Sequence, residues 1–341
     1  MLLKFAFIGF GNVAREFARL LLERSNQLEQ QYSLTFRVTA IATANHGCVT
    51  SATGIDLREA VVVTERGGNL SELAGVVLYE SPFEIVERCD ADVIFETTTL
   101  NPTDGTPALD YIRGALARRI NVVSANKAPV AFAYRELKRL AAQYAVSYRF
   151  EGAVMDGAPI FNLVERCLPA VRILGFEGVL NSTSNLVLTL MESGRSFEEA
   201  VWEAQRHGVA EADPSYDLEG LDAEMKARAL ANVLMNAEAR AVHVDRVGIL
   251  GITSEDLSAA RRQGLAIRPR VTAVEDAGDI MITIKPEPVP VDSILGSLNG
   301  TSNALILKTN VMGELAIVET DPGLRQTAYA LLSDLLTICS P

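Results

Sequence analysis

Leu2-Leu-Lys-Phe-Ala-Phe-Ile8 runs without a break into Gly9-Phe-Gly-Asn-Val-Ala14, and that junction decides the fold. The apolar run is short, as expected of a strand buried on both faces in a parallel sheet. Phe17, Leu20 and Leu21 then follow at helical spacing, so the glycines occupy a strand-to-helix turn. Gly9 permits the tight turn, Gly11 lets backbone approach a pyrophosphate, and Ala14 fills the position of close helix–strand contact. Gly9, Phe10, Gly11, Asn12 and Val13 are therefore the expected cradle of a dinucleotide, the helix N-terminus offering free N–H groups to its phosphates. A purely structural glycine turn has the same letters; the position between strand and helix favours the cradle.

Working outward, residues 37–42 read as the second strand, whose end should carry the residue that reads the adenosine ribose. Thr43-Ala-Asn-His46 supplies neither the carboxylate that favours NAD nor an arginine for a 2′-phosphate, which leaves the choice of cofactor open. Residues 91–96 and Asn121-Val-Val-Ser124 read as further strands, with a helical stretch over residues 106–119 between them. That alternation predicts a doubly wound parallel sheet. The carboxyl ends of its strands face the ligand crevice, placing Thr97, Thr98, Ser124 and Lys127 near the nicotinamide. Lys127 also reads as a helix-flanking surface lysine before Pro129; its strand-end position favours the crevice.

The seam between domains is Tyr148-Arg-Phe-Glu-Gly-Ala-Val-Met-Asp-Gly-Ala-Pro159. Its carbonyls and carboxylates could hold a hard monovalent cation through oxygen, and a plain hinge explains them equally well. Beyond it, residues 175–181 read as a strand, and Asn181-Ser-Thr-Ser-Asn185 opens a helix with natural caps that could also bind a polar substrate. Ser196-Phe-Glu-Glu199 is a capping box. Runs at residues 267–274, 280–284 and 304–309 read as strands, so the second domain is α+β. Six residues from Leu298 echo those from Leu180, too few to make a repeat.

Between these lies Gly208-Val-Ala-Glu-Ala-Asp-Pro-Ser-Tyr-Asp-Leu-Glu-Gly-Leu-Asp-Ala-Glu-Met-Lys226, which crowds acids into a loop and then enters a helix. Such a loop repels itself unless cations or hydrogen-bond donors sit within it. Asp222 and Lys226 stand at i, i+4, a pair worth only ~0.2–0.5 kcal/mol on a solvated face.

A formal net charge of −12 disfavours nucleic acid and anionic membrane surfaces alike. No apolar run approaches the ~20 residues of a spanning helix. The four cysteines are scattered, without metal-ligand clustering. These features predict a cytoplasmic protein that acts on a small molecule.

The glycine turn, Glu96-Thr-Thr98, Ser124-Ala-Asn-Lys127, Glu151-Gly-Ala-Val154, residues 178–185 and above all the acidic loop together resemble homoserine dehydrogenases of the short, monofunctional kind, without fused kinase or regulatory domain. The resemblance implies NAD(P)-dependent interconversion of L-homoserine and L-aspartate 4-semialdehyde, a step toward threonine, methionine and isoleucine. It implies Lys226 as proton donor and acceptor with Asp222 beside it, Glu211, Asp217 and Thr183 at the substrate, and Lys127 near the nicotinamide. Glu151, Val154, Asp156 and Ala158 fall where some relatives bind Na+ or K+. Gly323 falls near the cofactor, in a loop that departs from the family's usual small residues. The implied architecture is α/β: a Rossmann-type dinucleotide-binding domain over residues 1–150 plus an α+β catalytic and dimerisation domain over residues 151–320. The C-terminal helix, residues 321–341, packs back on the first, and the family is commonly a homodimer.

Two other readings stand beside this one. A related amino-acid oxidoreductase is the first; a phosphorylating semialdehyde enzyme among these needs a nucleophilic cysteine with a histidine base, and no cysteine here sits at a strand-end glycine turn. The second is a catalytically silent dinucleotide-binding sensor, which has no need of Lys127, Asp222 and Lys226 together.

Overall fold

The computed structural model describes residues 1–339. Two compact units emerge, one of Met1–Pro159 with the C-terminal segment from Gly323, the other Ile160–Pro322. The seam residues 151–159 therefore belong with the first unit, beyond the boundary expected after residue 150.

In the first unit the chain runs β1 (Leu2–Ile8), α1 (Asn12–Tyr32), β2 (Thr35–Ala42), β3 (Cys48–Thr50), α2 (Leu57–Glu65) and β4 (Val77–Tyr79). It continues through α3 (Pro82–Arg88), β5 (Val93–Glu96), α4 (Ala108–Ala117), β6 (Asn121–Ser124), α5 (Lys127–Tyr144) and β7 (Tyr148–Arg149). The sheet order is β4-β3-β2-β1-β5-β6-β7. Strands β2, β1, β5, β6 and β7 are parallel, as the alternating sequence predicts. The wholly parallel expectation needs one correction: β3 and β4 add an antiparallel edge, in strands too short to show a periodic signal.

From β1 the chain steps to β2 on one side and returns to β5 on the other, so the topological switch point lies between β1 and β5. Phe7, Phe17 and Phe95 pack beneath it, the Phe17 and Phe95 rings 4.6 Å apart. Phe7 and Phe95 are inward-facing partners on adjacent strands, and Phe17 comes from the buried face of α1. This core fixes the angle at which α1 leaves the glycine turn.

The second unit holds α6 (Phe161–Cys167), β8 (Ile173–Val179), α7 (Ser182–Glu192), α8 (Phe197–Arg206), α9 (Ser215–Leu218) and α10 (Leu221–Met235). Then come β9 (Val242–Arg246), α11 (Ser254–Arg262), β10 (Leu265–Asp276), β11 (Asp279–Pro290), β12 (Asn303–Thr309) and β13 (Glu314–Glu319). Its sheet order is β13-β12-β8-β10-β11-β9, antiparallel except for β9 beside β11. One face, with Val271, Ala273, Ile282 and Ile284, is buried where α7 and α10 pack. Alternation along the strands puts Glu177, Arg270, Val274, Met281 and Val318 on the other.

The sequence pattern carries α10 on to Ala239, but it stops at Met235 because Asn236 takes a left-handed conformation at φ +57°. A single 3-10 turn, Ala237–Ala239, follows. After the second unit, α12 (Leu324–Cys339) places Ala328, Leu331, Leu332 and Leu335 in the same apolar cluster as Phe7 and Phe17.

Candidate active site

In the first unit, Gly9 has φ +88°, and a Cβ there would meet the Thr97 carbonyl at 2.6 Å. Only glycine allows the ends of β1 and β5 to approach so closely. At Gly11, by contrast, an added Cβ would meet nothing within 4 Å, so the space outside the turn is open. No acidic residue occupies the first turn of α1, which leaves its positive end unquenched. A cavity of about 430 Å³ opens there, lined by Gly9, Phe10, Gly11, Thr97 and Thr98. The open glycine and the uncapped helix end fit a dinucleotide pyrophosphate.

Arg15, Thr43, Asn45, His46 and Tyr111 also line this cavity. The sequence pattern does not single out Arg15 or Tyr111. The loop at the end of β2 is held by Thr43, whose Oγ1 accepts the His46 N–H at 2.7 Å. His46 Nδ1 lies 2.8 Å from the Gly68 carbonyl. Of the other expected cofactor residues, Asn12, Val13, Ser124, Lys127 and Gly323 lie outside the lining. Lys127 is half-buried and opens α5, while the Gly323 carbonyl accepts the Gln326 N–H at the start of α12.

Ser124 is fully buried, and its hydroxyl donates to Glu96 Oε2 at 2.7 Å. Glu96 Oε1 accepts the N–H and the hydroxyl of Thr98 at 2.9 and 2.5 Å. Ser124 Oγ in turn accepts the Asn126 N–H at 3.0 Å. A buried carboxyl thus ties the Thr97-Thr98 turn to the loop that starts α5. Burial drives the Glu96 pKa upward against the hydrogen bonds from Thr98 and Ser124.

The seam segment is tied to α12. Asp156 Oδ1 accepts the Thr327 hydroxyl at 2.6 Å, and Asp334 accepts the Glu151 N–H at 2.7 Å. Val154 and Ala158 are buried beside them.

In the second unit, Asp222 and Lys226 form the i, i+4 pair at 3.1 Å, with side chains 8% and 16% exposed. That burial removes the pair from the class of solvated helix pairs, because a desolvated charge that loses its partner is costly. Lys226 Nζ also donates to the Leu180 carbonyl at 2.7 Å. Asn181 Nδ2 donates to Asp217 Oδ1 and to Asp222 Oδ2, both at 2.8 Å. The Thr183 hydroxyl donates to the Val209 carbonyl at 3.3 Å, close by. Burial raises the Asp217 pKa, the Asp222 charge raises it further, and the Asn181 bond and the nearby Thr183 hydroxyl oppose both.

Gly220, at φ +80°, turns the acidic loop into α10 and so aims Asp222 at this cluster. The rest of the loop finds its own partners: Glu224 pairs with Arg228 and Arg246, each at 2.9 Å, and the Glu219 carbonyl accepts Arg246. The expected self-repulsion is thus relieved largely within the protein. Glu211 is exposed, and its carbonyl accepts Gln205 Nε2 at 3.1 Å.

The family model described as homoserine dehydrogenase matches residues 159–336. The chain belongs to the homoserine dehydrogenase family. It is 36% identical over 98% of its length to an NAD(+)-dependent homoserine dehydrogenase of Pseudomonas canavaninivorans, covering 96% of that protein. It is 35% identical to the homoserine dehydrogenase of Methanocaldococcus jannaschii, over 97% of each chain. Among solved structures, a putative homoserine dehydrogenase from Archaeoglobus fulgidus superposes with a TM-score of 0.86 at 31% identity, covering 99% of this chain and 100% of that one. A hyperthermophilic archaeal homoserine dehydrogenase in complex with NADPH gives 0.84 at 28% identity, covering 99% and 98%. Homoserine dehydrogenases are NAD(P)-dependent oxidoreductases acting on the CH–OH group of homoserine, which accords with a dinucleotide fold and a buried lysine–carboxylate pair in one chain.

Proposed function

We propose that this chain interconverts L-homoserine and L-aspartate 4-semialdehyde with NAD or NADP, that the first unit binds the dinucleotide, and that the second carries the proton-transfer group. The observation that carries the reading is the buried Asp222–Lys226 pair, held on one side by the Leu180 carbonyl and on the other by Asn181. The nicotinamide supplies the hydride acceptor or donor. Oxidation of the alcohol also releases the hydroxyl proton, and aldehyde reduction requires a proton at the carbonyl oxygen. Lys226 takes and returns that proton, and its charge stabilises the developing alkoxide. Asp222 holds the lysine in place. Asp217, Thr183 and Glu211 bind the amino-acid end of the substrate, where carboxylates suit an ammonium. Lys127, at the crevice end of β6, serves the nicotinamide side of the first unit.

Gly9, Phe10, Gly11, Thr97 and Thr98 hold the dinucleotide, and the relatives described as NAD(+)-dependent and as solved with NADPH support either nicotinamide cofactor. Among the described residues no group of three or more acidic, histidine or cysteine side chains is arranged for a metal, and no step here is routed through a cation at Glu151, Val154, Asp156 and Ala158. The active form is a homodimer built on the second unit. Cytoplasmic residence belongs to the same reading, in keeping with four cysteines left as free thiols; among the described residues no helix is long and apolar enough to cross a membrane.

Initial rates with L-homoserine and each cofactor test the reaction. Lys226→Ala should lower kcat by ~10²–10⁴-fold while NAD(P)H affinity stays within about twofold of the parent. Undiminished turnover would remove Lys226 from its role.

A further inference from the structure

Asn181 is 4% exposed and uses both ends of its side-chain amide. Its Oδ1 accepts the Ser184 N–H at 2.8 Å and caps α7. Its Nδ2 spans two carboxylates that come from elements on either side of Gly220, Asp217 in α9 and Asp222 in α10. Asp222 Oδ2, the oxygen that receives Asn181, is also the one that faces Lys226. The neighbouring carbonyl, that of Leu180, receives the lysine. Two consecutive residues at the end of β8 therefore grip both partners of the acid–base pair.

We propose that Asn181 is a positioning residue that keeps Asp217 and Asp222 ionised side by side and so holds Lys226 in its proton-transferring geometry. This rests on the role given above to Lys226.

The chemistry requires an asparagine. Aspartate keeps the capping oxygen but replaces the donor with a third acceptor. Serine also keeps a capping oxygen, but it is too short and has too few protons to reach two carboxylates. Glutamine sets the amide one methylene farther out. Like charges that share a buried site raise one another's pKa, and a donor shared between them opposes this. Among the described residues, the groups that face Asp217 and Asp222 include Asn181 at the N-cap of α7, Thr183 from α7 and Lys226 from α10, with Tyr216 and Glu224 nearby; removal of Asn181 takes away the donor that the two carboxylates share.

The test is the pH profile of Asn181→Asp and Asn181→Ser, variants that keep the helix cap. The acid limb of kcat/KM should move upward by about one pH unit in Asn181→Asp and by less in Asn181→Ser, so that activity on the acid side of the limb falls up to ~10-fold more than activity on its plateau. Cofactor affinity should stay as in the parent. A uniform loss with an unmoved acid limb, or parental kcat in both variants, would overturn the proposal. If the parent itself does not oxidise homoserine, the function reading fails, and the clamp is judged from stability instead. Carboxyl groups with raised folded pKa values lose stability as pH rises, so the Tm deficit of Asn181→Ser should be larger near pH 8 than near pH 5. A deficit independent of pH would reject the clamp on its own.

Discussion

Glu96 has both carboxyl oxygens engaged at a fully buried position, one by Thr98 and one by Ser124. Removing it leaves two hydroxyls and a backbone N–H without their acceptor, each at a cost of ~1–3 kcal/mol when buried. Glu96→Ala should therefore lower Tm by roughly 5 °C or more, whereas Glu96→Gln keeps the shape and an acceptor for Thr98. The pH dependence separates charge from shape. Burial raises the folded-state pKa of Glu96, so its ionisation disfavours folding, and the parent loses stability as pH rises from the ordinary carboxyl value through the raised one. Melting curves of Glu96→Gln across about pH 4 to 8 should lack that decline. A decline as steep as the parent's would show that Glu96 titrates normally. At this scale the sequence names residues better than it names their surroundings. Ser124 is legible as a strand-end hydroxyl, but its burial behind Glu96 depends on the register between β5 and β6. Asn181 is legible as a helix cap; its grip on Asp217 and Asp222 joins residues far apart in the chain, where no local pattern reaches.

At the scale of elements, β1, the glycine turn and α1 are legible because three signals coincide: an apolar run, a φ-permissive residue and the onset of 3.6-residue spacing. The edge strands β3 and β4 carry no such signal, since each is three residues long and pairs through backbone alone. The Ala-rich pattern continues past the true end of α10, because the left-handed conformation of Asn236 that stops the helix leaves no mark on that pattern. The turn after β1 offers a direct test of the cradle. Gly9→Ala puts a methyl group against the Thr97 carbonyl at a φ that L residues avoid, costing at least ~1–2 kcal/mol of strain before any clash is relieved. Tm should fall, and titration of NAD(P)H fluorescence should show affinity weakened by ~10-fold or more, because the ends of β1 and β5 must separate. Unchanged affinity would place the dinucleotide elsewhere.

For the molecule as a whole, the open face of the second sheet is the surface on which the proposed homodimer is tested. Its charges are largely matched within one copy: Arg270 pairs with Glu177 and Glu287 at 2.5 and 2.7 Å, and Lys308 approaches Glu177 at 3.4 Å. Around these pairs, Val274, Met281 and Val318 are exposed on strands whose other face is already packed. A chain of net charge −12 gains little from meeting a copy of itself through unmatched carboxylates. A face whose charges are largely paired and that exposes Val274, Met281 and Val318 lessens that repulsion, and a twofold dimer uses the same patch on both copies. The proposed homodimer should therefore depend on this face. Light scattering on the parent should give twice the chain mass. Val274→Glu combined with Met281→Glu should give the chain mass, because two buried carboxylates per copy would face their own images without partners. Retention of the dimer by that variant would move the interface to another surface. Both side chains point away from the core of the second unit, so the variant should keep the parent's circular dichroism, and its loss of dimer can be read apart from unfolding.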